Sequence, residues 1–199
     1  MLQELIPGDG AAQLSFAALC RDGEVLASLT ACRTRQFPMD FGRASSYVET
    51  IDDPAIERDA RCLIAAMRFT GLVEVEFKRD ARSGQNLLLD VNPRPWGWQS
   101  LCGRAGVDFP YLLWRMAAGE AVAPARGVPG VRWVRMSTDV LAVAGELRAG
   151  RLSPAAYLRS LRRPLEFAIF ARDDPLPSLL GPLTTARLVA GRLAEGRPV

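Results

Sequence analysis

Gly71-Leu72-Val73-Glu74-Val75-Glu76-Phe77-Lys78, followed by Leu87-Leu88-Leu89-Asp90-Val91-Asn92-Pro93-Arg94-Pro95-Trp96-Gly97, is the stretch that decides the fold of this chain. The first run alternates charged and apolar residues, so Glu74, Glu76 and Lys78 share one face of a strand. The second run sets Leu88, Asp90 and Asn92 on one face. Between them Arg79-Asp80-Ala81-Arg82-Ser83-Gly84 is rich in turn formers, and the pair reads as a hairpin. A turn centred on Ser83 puts Glu76 opposite Asp90, Glu74 opposite Asn92 and Lys78 opposite Leu88. Directly opposed residues hold their Cβ atoms roughly 4.5–5.5 Å apart. Two carboxylates and an amide oxygen at that spacing repel one another unless something cationic sits among them, and a hard divalent cation with oxygen ligands fits. A half-buried strand with one solvated face shows the same alternation, so the hairpin alone leaves both readings open.

The rest of the 199 residues bounds the chemistry. Hydrophobic residues make up 49%, enough for one ordinary core with an appendage. A net charge of +3 is too balanced to imply nucleic acid, and the acidic hairpin argues against it. The chain has no histidine, which excludes Ser-His and Cys-His nucleophiles and His-ligated metals. Lys78 is the sole lysine, inside the acidic strand; phosphate binding and simple pairing with a neighbouring Glu are both open readings. Cys20, Cys32, Cys62 and Cys102 show no CxxC spacing and read as reduced, buried thiols of a cytosolic protein. No apolar run approaches the roughly 20 residues of a membrane span.

Upstream of the hairpin, residues 14–19 and 25–31 read as strands joined through Asp22-Gly23. Arg33-Thr34-Arg35-Gln36-Phe37-Pro38 and the Gly42-Arg43-Ala44-Ser45-Ser46 segment read as a polar connection. Its alternating Arg33 and Arg35 suit phosphate oxygens, or else a solvated strand edge. Asp52-Asp53-Pro54 opens a helix with an acidic cap. Ile56, Ala60, Leu63, Ile64 and Met67 form its core stripe, and Gly71 ends it. Downstream, 99–104 and 110–116 read as short helices, the second capped by Asp108. Residues 120–130 are the linker candidate. Beyond them the spacing predicts a strand at 131–136, helices over 139–148 and from Ser153, a strand at 165–171 and a terminal helix over 184–193.

With its acidic strand and its Asp90-Val91-Asn92-Pro93-Arg94 run, the sequence resembles the C-terminal lobe of the ATP-grasp superfamily. The likeness is to the carbamoyl phosphate synthetase-like, carboxylate–amine ligase branch. The resemblance covers residues 1 to about 118. It implies an α+β fold, a mainly antiparallel sheet flanked by helices, over 1–119. A small mixed α/β extension of unknown role would follow over 131–199. Glu76, Asp90 and Asn92 would bind two magnesium ions (or manganese) that bridge the ATP phosphates. Asp90 departs from the commoner Glu. Arg94 would steady the transferred phosphoryl group. Residues 3–6 resemble the adenine-reading hinge, with contacts from the Glu4 carbonyl and the Ile6 amide, and Asp9 would serve the ribose. Arg33, Arg35 and Lys78 would line the phosphate and acceptor region.

The implied function is an ATP- and magnesium-dependent ligase acting through an acyl phosphate. ATP, a small carboxylate and an amine (or a thiol) would be its substrates, and its setting the cytoplasm. The superfamily also needs an N-terminal lobe with phosphate-covering lysines. That motif is not found here, so the expectation is a truncated or split chain, inactive alone and completed by a separate chain. A non-catalytic module that binds nucleotide or a partner is the alternative.

Overall fold

Turn chemistry starts the sheet. Asp22 and Gly23 both adopt positive φ, 47° and 85°, as a two-residue hairpin turn demands. They join β1 (Gln13–Arg21) to β2 (Glu24–Phe37). Gly23 is required twice over, since a Cβ there would lie 3.1 Å from the backbone of Ala65. The structure, a computed structural model, describes residues 4–7, 13–39, 44–162, 164–181 and 187. Its sheet runs β5 (Asn86–Asn92), β4 (Gly71–Arg79), β1, β2, β3 (Ala44–Ile51), β7 (Arg132–Val134), β8 (Leu165–Phe167), with β6 (Ala125–Arg126) paired to β2. The pairs β4–β5, β1–β4, β1–β2, β2–β3 and β3–β7 are antiparallel, and β2–β6 and β7–β8 are parallel. The mostly antiparallel sheet with flanking helices is the α+β lobe expected.

β2 reaches Phe37, so the polar segment expected as a connection is strand. It pairs with β3 through Arg35–Tyr47, Gln36–Ser45 and Phe37–Ala44. Polar composition misleads here because Arg33, Arg35 and Gln36 are buried with partners of their own.

The alternation of β1 feeds two cores. Phe16, Ala18 and Cys20 meet α1 (Pro54–Met67) on one face. Ala17 and Leu19 meet Trp96, Trp98, Leu101 and Phe109 on the other. Asp53 caps α1 by accepting from Ala55 and Ile56 N–H, and Ile56, Ala60 and Ile64 are its buried stripe. Met67 is exposed rather than core-facing. The helix closes at Arg68 in the left-handed conformation, φ 49°, while Gly71 opens β4. α2 (Ser100–Arg104) and α3 (Phe109–Ala117), the latter capped by Asp108, cover the second core.

Residues 120–130, expected as a linker, run along the sheet. β6 (Ala125–Arg126) lies parallel to β2 at Ala27 and Ser28. Gly127 then passes so close to Leu29 that a Cβ would sit 2.5 Å from its Cδ1. Thr50 Oγ1 donates to the Val128 carbonyl at 2.9 Å and accepts from Val131 N–H at 2.9 Å. β7 (Arg132–Val134) pairs with β3, and β8 (Leu165–Phe167) pairs with β7. α4 (Met136–Arg148) and α5 (Pro154–Ser160) complete this part. Trp133 of β7 belongs to the same core as Trp96 and Trp98.

Cys20 and Cys102 are buried, and burial pushes their thiols up to about 12. Cys62 is exposed, contrary to the expectation, because it lies off the buried stripe of α1. The helix expected over 184–193 lies outside the described residues save Arg187. Among the described residues no helix is long and apolar enough to cross a membrane.

Candidate functional site

The β4–β5 hairpin pairs Glu74 with Asn92 and Glu76 with Asp90. Leu89 is then an extra residue on β5, so Phe77 faces Leu88 and Lys78 faces Leu87. The bulge corrects the expected Lys78–Leu88 pair by one residue.

From this hairpin a chain of polar contacts crosses to β2 and β3. Arg33 Nε donates to Ser45 Oγ at 2.7 Å, and its Nη1 forms an ion pair with Glu76 Oε2. Asn92 Nδ2 donates to Glu76 Oε1 at 2.9 Å, and Asn92 Oδ1 accepts from Arg94 Nη2 at 2.9 Å. Both amide atoms are thereby matched, which sets the orientation of the side chain. Beside Glu76, Glu74 is 4% exposed and accepts from Trp98 Nε1 at 3.0 Å. Burial, helped by the charge of Glu76, raises the Glu74 carboxyl to about 7. Arg33, Ser45, Glu74, Glu76, Arg94 and Arg135 border one cavity of about 240 Å³. An apolar groove of about 580 Å³ at Val134, Phe167 and Phe170 is larger but lined by no charged side chain, so the chemistry belongs to the smaller cavity.

The cation that answers the acidic repulsion is thus Arg33. For a metal, the donor set of Glu76, Asp90 and Asn92 is all oxygen and fits a hard divalent ion. Arg33 would have to release Glu76 Oε2, and Asn92 would have to turn its amide oxygen. Asp90 lies across from Glu76 but is exposed and off the cavity wall, its Oδ1 accepting from Val91 N–H at 2.9 Å. Among the described residues no three His, Cys, Asp or Glu side chains cluster as a metal site.

The other expected residues are dispersed. Arg35 is off the cavity wall, bound to Asp139 of α4 by Nε–Oδ1 and Nη2–Oδ2 contacts of 2.8 Å each. It also lies over the Tyr47 ring, 4.0 Å from the centroid. Lys78 shares the strand face of Glu76 two pairs further on. Glu4 accepts from Arg82 Nη2 at 3.0 Å, and Arg82 bonds Asp80, which ties the 4–7 segment to the β4–β5 turn. Ile6 is buried. Asp9 and residues 40–43 lie outside the described residues.

Three cavity residues had no assigned role. Glu74 was legible as part of the alternating face, but its burial was not. Trp98, one residue past the Pro-Arg-Pro-Trp-Gly run, carries no local signal of a site. Arg135 had no local signal, because it arrives from the far side of residues 120–130.

Among solved structures the chain is similar to a Campylobacter jejuni biotin carboxylase–β-γ-ATP complex. Identity is 15% with a TM-score of 0.47, over 60% of this chain and 27% of that one. An L-amino acid ligase from Bacillus licheniformis gives 16%, a TM-score of 0.44, and 60% and 34%. A Rhizobium etli pyruvate carboxylase gives 17%, a TM-score of 0.46, and 60% and 13%. The chain therefore spans between 13% and 34% of these neighbours' lengths. No curated protein matches the sequence. A family model described as "ATP-grasp in the biosynthetic pathway with Ter operon" matches residues 1–149, a span that includes β6, β7 and Arg135. The chain belongs to this ATP-grasp family, a family of nucleotide-binding ligases.

Proposed function

We propose that this chain is the ATP- and magnesium-binding part of a ligase that joins a carboxylate to an amine, or to a thiol, through an acyl phosphate. The supporting observation is the run of contacts Ser45–Arg33–Glu76–Asn92–Arg94 around one cavity. In the reaction a carboxylate oxygen attacks the γ-phosphorus of ATP and ADP leaves. The amine or thiol then displaces phosphate from the acyl carbon. A pair of magnesium ions (or manganese), held by Glu76, Asp90 and Asn92, would neutralise charge on the phosphate oxygens.

Arg94, set between two prolines, holds the transferring phosphoryl oxygens with its planar fork. Arg33, once released by Glu76, turns to the phosphates, and Lys78 adds charge on the same face. The Glu4 carbonyl and Ile6 amide read adenine, and Asp9 the ribose. Arg35, with its guanidinium engaged by Asp139, is left out of the phosphate contacts. A covering lobe, on the same polypeptide or a separate one, keeps water from the acyl phosphate. The ATP requirement and free thiols suit a cytoplasmic setting.

The test is magnesium-dependent nucleotide binding by the chain, and ADP formation where the covering lobe is present. Asp90→Ala and Asn92→Ala are expected to lower both more than tenfold, and unchanged values would remove the metal assignment. Arg94→Lys keeps nucleotide affinity and slows phosphoryl transfer; equal rates would remove the role given to Arg94. The Arg33–Glu76 pair, which satisfies itself, favours one alternative, a non-catalytic nucleotide- or partner-binding module. In that case nucleotide binding would not depend on magnesium.

A further inference from the structure

Arg33 and Arg94 are both engaged on the cavity wall, but Arg135 is not. Its Nε is buried without an acceptor, and no carboxylate among the described residues pairs with it. The residue is nevertheless held firmly. Its N–H donates to the Ser46 carbonyl at 2.8 Å, and its own carbonyl accepts from Asp139 N–H at 2.9 Å. Its guanidinium lies over the Trp133 ring, 5.6 Å from the centroid. At Gly97 a Cβ would stand 3.9 Å from Arg135 Nη2, so the fork lies against the turn that follows Arg94.

Three guanidinium groups therefore border the cavity against two carboxylates, Glu74 and Glu76. Glu76 is taken by Arg33 and Arg94 bonds only neutral oxygens, whereas Arg135 has no acceptor at its buried Nε, and a partly desolvated guanidinium in that position calls for an anion. Arg135 reaches this shared cavity from the side away from the proposed metal-ligand hairpin. Glu76 sits on β4 and Asn92 on β5, whereas Arg135 follows β7, on the opposite side of β1, β2 and β3 in the sheet. The cavity, about 240 Å³, is smaller than the roughly 300–1,000 Å³ typical of drug-sized ligands and suits a small acid.

We propose that Arg135 binds the carboxylate of the acid substrate, a small acid seated between Arg135 and Arg94. This rests on the ligase reading above and gives the region after residue 130 a part in the site. Acid recognition then depends on β7, the strand that carries Arg135 to the cavity.

The test uses the 199-residue chain and its tryptophan fluorescence, with acetate, L-alanine and L-glutamate as carboxylate probes. Inorganic phosphate and a magnesium-bound non-hydrolysable ATP analogue are titrated separately. Arg135→Gln is expected to weaken the best carboxylate about tenfold or more and to leave the nucleotide analogue within about twofold. Arg135→Lys recovers part of the loss, since charge returns without the fork. Arg132→Gln makes the same charge change on β7 at a side chain bonded to Glu49, and leaves carboxylate affinity unchanged.

Equal carboxylate affinity in wild type and Arg135→Gln, or no saturable carboxylate response in the wild type, overturns the proposal. So does phosphate binding more tightly than every carboxylate and being lost in the same variant. Carboxylate binding that depends on Arg135 in a chain that fails to bind the nucleotide analogue would instead overturn the ligase reading alone.

Discussion

Arg33 and Arg35 stand two residues apart on β2, and the structure uses them in opposite ways. Arg33 lies on the cavity wall, and its ion pair with Glu76 keeps side-chain exposures of 10% and 17%. Arg35 and Asp139 are at 6% and 0%, and their two parallel contacts bind β2 to α4. The first pair borders open space and can exchange its partner for a ligand. The second is enclosed, so losing either member strands a charge. Geometry alone does not set the difference. Arg68 and Asp22 make a similar two-contact fork at 3.0 and 2.9 Å, but at 76% and 64% exposure. Burial decides whether a fork holds the fold, offers a site or does little.

The largest effect is expected where burial is deepest. Asp139→Ala leaves the Arg35 guanidinium without a carboxylate, its Nη1 still on Ser160 Oγ, and is expected to cost about 3–5 kcal/mol in urea unfolding. A loss near 1 kcal/mol would show that water reaches Arg35, and the contrast with Arg33 would fall.

Next comes Glu74, the buried acid of the cavity. Its folded-state value, raised from 4.5 to about 7, means that the folded chain holds this proton more tightly than the unfolded one. Stability from this group is fully present below about pH 4.5 and is lost as pH rises through about 7. Glu74→Gln keeps an acceptor for Trp98 and removes that loss. It should flatten the pH dependence and gain on the order of 2–3 kcal/mol at pH 8 without added magnesium. Parallel pH profiles for wild type and variant would show the carboxyl to be ionised throughout.

Arg33→Gln should cost less, about 1–2 kcal/mol. It should also bind magnesium more tightly than wild type in a direct titration, because no guanidinium competes for Glu76. Weaker magnesium binding would show that Arg33 supports the ion rather than opposing it. Least of all, Asp22→Asn should change stability by less than about 1 kcal/mol, since its partner Arg68 is solvated and Asn tolerates the positive φ.

How much was legible follows from the range of each signal. The α1 cap, the Asp22-Gly23 turn and the Glu74–Asn92 and Glu76–Asp90 pairs depend on residues near in sequence, and they could be read. The bulge at Leu89 could not, because nothing in a run of three leucines marks which one is skipped. The polar half of β2 reads as a connection because the partners that let Arg33 and Arg35 be buried lie 43 and 104 residues away. Residues 120–130, rich in Gly, Pro and Ala, carried a break signal. Their path along the sheet depends on Ala27, Ser28 and Leu29 of β2 and on Thr50 of β3, which composition in that window cannot show.

The sequence by itself determined that an acidic hairpin ends in a proline-framed arginine, and that the chain resembles the ATP-grasp C-terminal lobe. Those are properties of alternation, turn chemistry and a short motif, all encoded within about 30 residues. Only the tertiary structure decided which charges meet. It set Arg33 on Glu76, buried Glu74 against Trp98, locked Arg35 to Asp139 and brought Arg135 to the cavity wall. The physical reason is that solvation and partners, not residue type, determine what a charge does, and both are set by strands that are adjacent in the sheet but remote in the chain.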